Sequence, residues 1–536
     1  MKKYSIGLDY GTESVRAILV DTQNGDTIAV SVEHYLHGIM SPCPDFALQD
    51  PQDYLDSGWK VLKEVASKVS KNEIIGIGVD FTACTMFPVD AKGEPLCFNS
   101  NFKDNHHAYA KLWKHHGAKK EADEINRLAT VRGEKFLDYY GGIISCEWML
   151  PKVFETLRCA PEVFNQTKYF VDAGDWIVFK LTGSWVRSAT FAGYKGLWSK
   201  EEGYPSKEFL NALDPRLENI ASTWISPVMA PGTLAGLLSV DVAKELGLQN
   251  NIGVSVATID AHSGVPGMGV YSDRTACFIM GTSSCHMFLS GSLHLFKGMA
   301  GAVHDGIIPG LIGYESGQAA VGDLFAWFVK KFLKDEKNLN AFEVISKEAY
   351  SLKPGAHGLV ALDWMNGNRS ILMNHNLTGN ILGLTLDTTS AEVFRALVEG
   401  TAFGTKKIIE TYRNAGIVID NITVCGGLSL LDEVMQIYSD ILEMPINIAE
   451  SNQAVALGAA IFGALACGKG NGGYDHIEEA VTHMVKPALK THSPNPDHFK
   501  NYREIYKHYK TLHDFFGVDH PEIMQELKEL KLNNNR

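Results

Sequence analysis

The hydrophobic pattern divides the chain before any motif is considered. Tyr4 to Asp9 and Val15 to Asp21 are short, largely apolar runs separated by Gly11-Thr12, and Asn24-Gly25 precedes a third run from Thr27. Such runs, joined by turn residues, predict an antiparallel meander. Asp50-Pro51 then opens a stretch ending near Ser70 whose apolar side chains, Tyr54, Leu55, Val61, Leu62 and Val65, share one helix face. Ile74 to Asp80 is nearly continuous in apolar residues, as expected of a strand covered on both faces. Helical and strand-like segments alternate from there to about Thr258, so this half reads as α/β.

The same opening recurs later. Thr275 to Met280 is an apolar strand, Gly281-Thr282-Ser283-Ser284 a turn and His286 to Ser290 the return strand. Gly-Thr-x-Ser stands in both turns, and its position inside two strand–turn–strand units points to duplication. The boundary is expected near Val270-Tyr271-Ser272. That gives a first domain over 1–270 and a second over 271–470, the latter with long helices over about 389–414 and 430–442. Past Gly470-Asn471-Gly472-Gly473 the chain turns polar and charged, and 471–536 reads as a helical extension with a solvated, Lys-rich face.

Composition adds exclusions. A chain of 536 residues is too long for one hydrophobic core. Its 49 Lys+Arg against 62 Asp+Glu leave a net charge of −13, which argues against broad attraction to nucleic acid or an anionic membrane. Nine cysteines without a C-x-x-C pair suit reduced thiols. Asp9, Glu13 and Arg16 interrupt any signal-peptide core behind Met1-Lys2-Lys3, and no apolar run is long enough to span a bilayer, so a cytoplasmic protein is expected.

Four motifs carry candidate chemistry. In Asp9-Tyr10-Gly11-Thr12-Glu13-Ser14 a glycine turn presents backbone N–H groups and hydroxyls toward one point, suited to phosphate oxygens, beside a carboxylate suited to Mg²⁺. Alone it is equally an ordinary hairpin. Gly281-Thr282-Ser283 repeats the turn with Ile279 where the first has Asp9, so the pair would clamp a polyphosphate with the cation on one side. Cys425-Gly426-Gly427-Leu428-Ser429 follows a strand, Ile422 to Val424, and precedes a helix. It is either a structural connection or a place where backbone lies close to a flat ligand. Asp260 follows the apolar run Gly253 to Ala257 and is either a helix cap or a carboxylate placed to take a proton from a hydroxyl.

Other features read as structural. His106, His107, His115 and His116 lie in a Lys-rich stretch taken as a solvated helix, Cys84 and Cys285 lack a base at readable spacing, and Phe325, Trp327 and Phe328 read as core.

In this chain order the motifs resemble the FGGY carbohydrate kinases, over roughly residues 4–470. Ile144-Ser145-Cys146-Glu147-Trp148-Met149-Leu150-Pro151-Lys152 looks like the family's first conserved region. Gly426 through Pro445, with Ala454-Val455-Ala456-Leu457-Gly458-Ala459-Ala460, looks like its second. Gly78-Val79-Asp80-Phe81-Thr82-Ala83-Cys84-Thr85-Met86, Trp113-Lys114-His115-His116 and Tyr314 to Asp323 resemble the branch acting on L-ribulose.

The resemblance implies two ribonuclease H-like domains of the actin-like ATPase fold, with an interdomain cleft. It also implies ATP and Mg²⁺ as cofactors and a small sugar as partner, with a homodimer left open. By it Asp260 is the general base, and Thr82, Ala83, Lys195, Asp260 and Glu315 line the sugar pocket. Asp9 holds the metal. Gly11, Thr12, Glu13, Ser14, Gly281, Thr282, Ser283, Gly426 and Gly427 bind nucleotide. A sister kinase acting on D-ribulose, ribitol, xylulose or glycerol, and an actin-like ATPase without a sugar, are the alternatives.

Overall fold

A computed structural model describes residues 2–333 and 341–534. Its framework is two sheets built on one plan. In the first, Tyr4–Tyr10, Ser14–Asp21 and Thr27–His34 form the antiparallel meander. Ile74–Phe81 joins Tyr4–Tyr10 in parallel, Gly253–Ser255 follows in parallel, and Leu234–Leu237 closes the edge antiparallel. The second sheet repeats this: Thr275–Met280, Ser284–Ser290 and Ile312–Gln318 are the meander, Asn421–Cys425 and Ile446–Ile448 the parallel strands, and Lys490–His492 the antiparallel edge. Gly301–His304 extends the meander side. The duplication expected from the two Gly-Thr turns is therefore a duplication of sheet topology.

Local signals explain the elements. The helix Pro51–Ala66 starts at Asp50, whose side chain accepts from the Gln52 N–H, and has proline at its first position. Ser390–Asn414 starts with a capping box between Thr389 and Glu392. The run expected over Gly253 to Ala257 ends at Ser255, and a separate two-residue strand, Thr258–Ile259, pairs with Ile74–Phe81. Between Ile74–Phe81 and Leu234–Leu237 lies an insertion that, with Leu48–Gln49, forms a small sheet of its own and has a separate apolar core around Trp148, Phe154, Phe209 and Trp224.

Three expectations are corrected. The stretch 471–536 is more than a helical extension: its strand Lys490–His492 completes the second sheet, and Tyr502, Tyr506 and Tyr509 of Pro496–Asp514 are buried in that half's core. Its Lys-rich helix is thus only half solvated, and Asn535 lies outside the described residues. The histidine stretch is no helix beyond the single turn His106–Ala108. His115 is fully buried against Glu155 at 3.0 Å, the same carboxylate that accepts from the buried Lys111 ammonium at 2.6 Å. Phe325 and Phe328 are core, but Trp327 is 37% exposed on the opposite side of its helix.

One helix crosses the partition suggested by the sequence. Ala454–Cys467, from the second half of the chain, packs on the first sheet and on the helix Asp260–Gly267. Small residues make the approach possible: a Cβ on Gly78 would sit 1.8 Å from the Ala459 carbonyl oxygen, and one on Gly458 1.7 Å from that of Ser263. Ser263 Oγ also donates to the Val455 carbonyl at 2.8 Å. The Ala-Leu-Gly-Ala-Ala pattern is thus a packing surface that fastens the Asp260 helix to both halves.

Candidate active site

Strand register brings three acids to one sheet edge. Asp9 lies beside Asp80 in the parallel pairing, and Thr258, two residues before Asp260, lies on the other side of Asp80. Asp260 is the first residue of its helix rather than its cap, and its Oδ1 accepts from the Ala261 N–H at 2.7 Å. Burial, and then the charges of Asp9 and Glu315 against that hydrogen bond, push the Asp260 carboxyl up to about 7. Asp9 is also raised by burial, opposed by the Arg16 guanidinium at 3.3 Å and by Asp80.

Asp80 is fully buried, with no hydrogen-bond partner on either carboxyl oxygen. Burial, and then the charges of Asp9 and Asp260, push its carboxyl well above the usual carboxylate value. The sequence reading quoted Asp80 without giving it a role. The available signal was an acid inside an otherwise apolar strand.

The first turn is closed by the Gly11 N–H donating to the Ser14 carbonyl, and it is braced from outside. Tyr35 Oη donates to the Gly11 carbonyl, Gln49 Nε2 to the Thr12 carbonyl at 2.7 Å, and Trp113 Nε1 to Thr12 Oγ1 at 3.1 Å. Glu13 and Ser14 complete the same turn, Ser14 beginning the return strand. The second turn is closed by the Gly281 N–H on Ser283, and its Gly281 and Thr282 carbonyls accept from Val321, Gly322 and Asp323 at the start of the helix Gly322–Phe332.

The parallel register sets Ile279 beside Cys425, so Gly281 and Gly426 leave the same sheet edge. A Cβ on Gly426 would come 2.4 Å from the Met280 carbonyl oxygen, and Gly426 has φ +97°, whereas a Cβ on Gly427 would meet nothing within 4 Å. Gly426 is consumed by packing, and Gly427 keeps an open face. The helix expected over about 430–442 runs Asp432–Leu442, following the short turn Gly427–Leu430.

The remaining residues form a second cluster. Thr82 is buried, donates its N–H to the Tyr10 carbonyl and pairs Oγ1 with Thr85 Oγ1 at 2.6 Å; Ala83 beside it is half-buried. Lys152 Nζ, fully buried, donates to the Cys84 and Leu112 carbonyls at 2.8 and 2.7 Å, which fixes this loop from below. Cys84 itself is buried and pushed up to about 12, an inert thiol.

Lys195 reaches from the first half to Glu315 on the second sheet, at 3.3 and 3.1 Å to the two carboxylate oxygens. Arg369 also binds Glu315, at 2.5 Å, and His262 lies 3.6 Å away. Burial alone would raise the Glu315 carboxyl, but Lys195, His262 and Arg369 hold it well below the usual range. Sequence spacing pointed to neither Arg369 nor His262.

Twin Gly-Thr turns on two sheets of one topology, acids gathered at one sheet edge and an ion-pair cluster joining the two halves make the architecture that of a two-lobed phosphotransferase. The family follows directly. The model for the N-terminal domain of the FGGY family of carbohydrate kinases matches residues 4–267 and that for the C-terminal domain matches 276–467. The chain belongs to that family.

Curated relatives include a ribulokinase of Geobacillus thermodenitrificans, 46% identical over 99% of this chain and 97% of its own length. One from Staphylococcus aureus (strain Newman) is 39% identical over 99% of each. Among solved structures, a xylulose kinase from Rhodospirillum rubrum superposes with a TM-score of 0.82 at 21% identity, covering 96% of this chain and 99% of that one. A gluconate kinase from Lactobacillus acidophilus gives 0.83 at 19%, covering 98% and 100%. These two establish the fold alone.

Proposed function

We propose that this kinase transfers the γ-phosphoryl group of ATP to the C5 hydroxyl of L-ribulose, with Asp260 as general base. The observation that carries the reading is the position of Asp260. It lies where the acids of the first sheet meet Glu315 of the second, with its carboxyl raised to about 7, the range in which a base both holds and releases a proton near neutrality. The full-length relatives named ribulokinase support the choice of acceptor.

In this scheme the Thr82–Ala83 backbone, Lys195 and Glu315 bind the hydroxyls of the open-chain sugar and aim its terminal oxygen at Asp260. Thr12 and Thr282, with the N–H groups of Glu13, Ser14 and Ser283, cradle the phosphates, the Gly11 and Gly281 N–H groups being spent on closing the turns, and Gly427 borders the nucleoside. Phosphoryl transfer asks little covalent work of a protein, so placing the alcohol in line and spreading the developing charge supply most of the rate.

The donor set fits a hard divalent cation such as Mg²⁺. Asp9 offers carboxylate oxygen, and among the described residues no group of three or more His, Cys, Asp or Glu is disposed to hold a metal alone, so phosphate and water oxygens would complete the shell. When bound, such an ion neutralises charge on the phosphates.

The experiment is a specificity panel: ADP release with L-ribulose, D-ribulose, ribitol, D-xylulose and glycerol, each at varied concentration. L-ribulose should give the highest kcat/KM. A higher value for another acceptor would reassign the substrate, and ATP turnover indifferent to all five would remove the sugar-kinase reading.

A further inference from the structure

Glu315 is compensated twice, once from each half of the chain. Lys195 comes from the first half and Arg369 from the second, the half that carries Glu315 itself. The guanidinium lies in a crowded place. Its Nη1 is 3.7 Å from Cys285 Sγ, immediately after the Gly281–Ser284 turn, and a Cβ on Gly317 would sit 3.3 Å from the same nitrogen. The Ser370 hydroxyl, next along the chain, accepts from the Gly317 N–H at 3.1 Å and pins this segment to the strand of Glu315. Lys195 is held less tightly: it meets Glu315 at 3.1–3.3 Å and sits 5.3 Å over the Trp148 ring.

We propose that Arg369 is a positioning residue of the sugar pocket. It anchors Glu315 from within the second half and ties it to the base of the second Gly-Thr turn, so that Lys195 is free to exchange between Glu315 and a sugar hydroxyl. The inference rests on the kinase reading given above. Its physical basis is the charge balance at a carboxylate that sees little water. With Arg369 in place, Glu315 keeps a charged partner when Lys195 turns to the substrate. Without Arg369, Lys195 becomes the principal cation for Glu315. Binding a neutral polyol would then require weakening that ion pair in a site of low dielectric, a cost that falls on sugar affinity.

The test is steady-state kinetics on Arg369→Gln, Arg369→Lys, Glu315→Gln and the double variant Arg369→Gln/Glu315→Gln, with thermal unfolding of each. In Arg369→Gln the KM for the ketose should rise about tenfold or more, while kcat falls less than about threefold and the KM for ATP moves less than about twofold. Arg369→Lys, which keeps a point charge but not the fork, should recover part of the sugar KM. Adding Arg369→Gln to Glu315→Gln should raise the sugar KM by less than about threefold, because the two act through one contact.

A folded Arg369→Gln enzyme with an unchanged sugar KM would overturn the inference. So would additive effects in the double variant, which point to a purely structural arginine. If Arg369→Gln fails to fold, Arg369→Lys decides: a sugar KM equal to the parent's refutes the role of the fork, and a selective rise supports it. A parent enzyme that phosphorylates no ketose overturns the kinase reading itself, and that result is distinct from an active parent with an indifferent Arg369 variant.

Discussion

Asp260→Asn should cost activity and add stability, and the two effects come from one cause. The substitution preserves shape and can still accept from the Ala261 N–H, but it removes the proposed proton acceptor and the charge. Losing a general base typically lowers turnover by about 10²–10⁴-fold.

For stability, the carboxyl is raised from 3.8 to about 7 in the folded protein. Between those values the folded chain keeps a proton that the unfolded chain has released. Stability from this group is therefore complete below about pH 4 and is lost as pH climbs to 7. At about 1.4 kcal/mol per pH unit the penalty is bounded near 4 kcal/mol. The residue is only half-buried and Asp9 shares the effect, so about 1–3 kcal/mol is expected. Denaturant unfolding of both proteins at pH 4.5 and pH 8 measures it: the variant's advantage should be small at the lower pH and largest at the higher. A variant less stable than the parent at pH 8, or one retaining turnover within about tenfold, would refute the reasoning.

The remaining predictions concern the same site and its supports. On the proposed role of Asp260 as base, kcat/KM for the sugar should fall about tenfold per pH unit on the acid side of an apparent value near 7, read from a pH–rate profile. Lys152→Met leaves the Cys84 and Leu112 carbonyls without their donor. It should lower stability by about 2–3 kcal/mol and raise the sugar KM more than the ATP KM, checked by unfolding and steady-state assays. Gly458→Val drives a side chain into the Ser263 carbonyl, so the helix carrying Asp260 must shift. A loss of about 1–3 kcal/mol with a fall in kcat is expected, and unfolding together with turnover measures both.

Much of the framework was legible in the chain itself. Thr275–Met280 has the expected bounds, and the first meander follows its hairpin turns closely, because alternation, glycine turns and caps act over a few residues. The two Gly-Thr turns and Asp260 were also visible, since chemistry of that kind needs particular residue types at strand ends. His115 shows where this ends: its neighbours in sequence are lysines and another histidine, and only the fold brings Glu155, forty positions away, against its ring.

The acid cluster and the ion-pair cluster around Glu315 belong to the same category. The Asp80 carboxyl is pushed up because two other strands or strand ends deliver Asp9 and Asp260 to its buried sides, and that of Glu315 is held down because Lys195 and Arg369 converge on it from separate halves. Sequence by itself determined the elements, their duplication and the candidate reacting groups, all products of short-range stereochemistry. The tertiary structure decided which charges meet, which carboxyls are pushed up or held down and which lysine is held by which carboxylate, because those depend on burial and on distances between residues far apart in the chain.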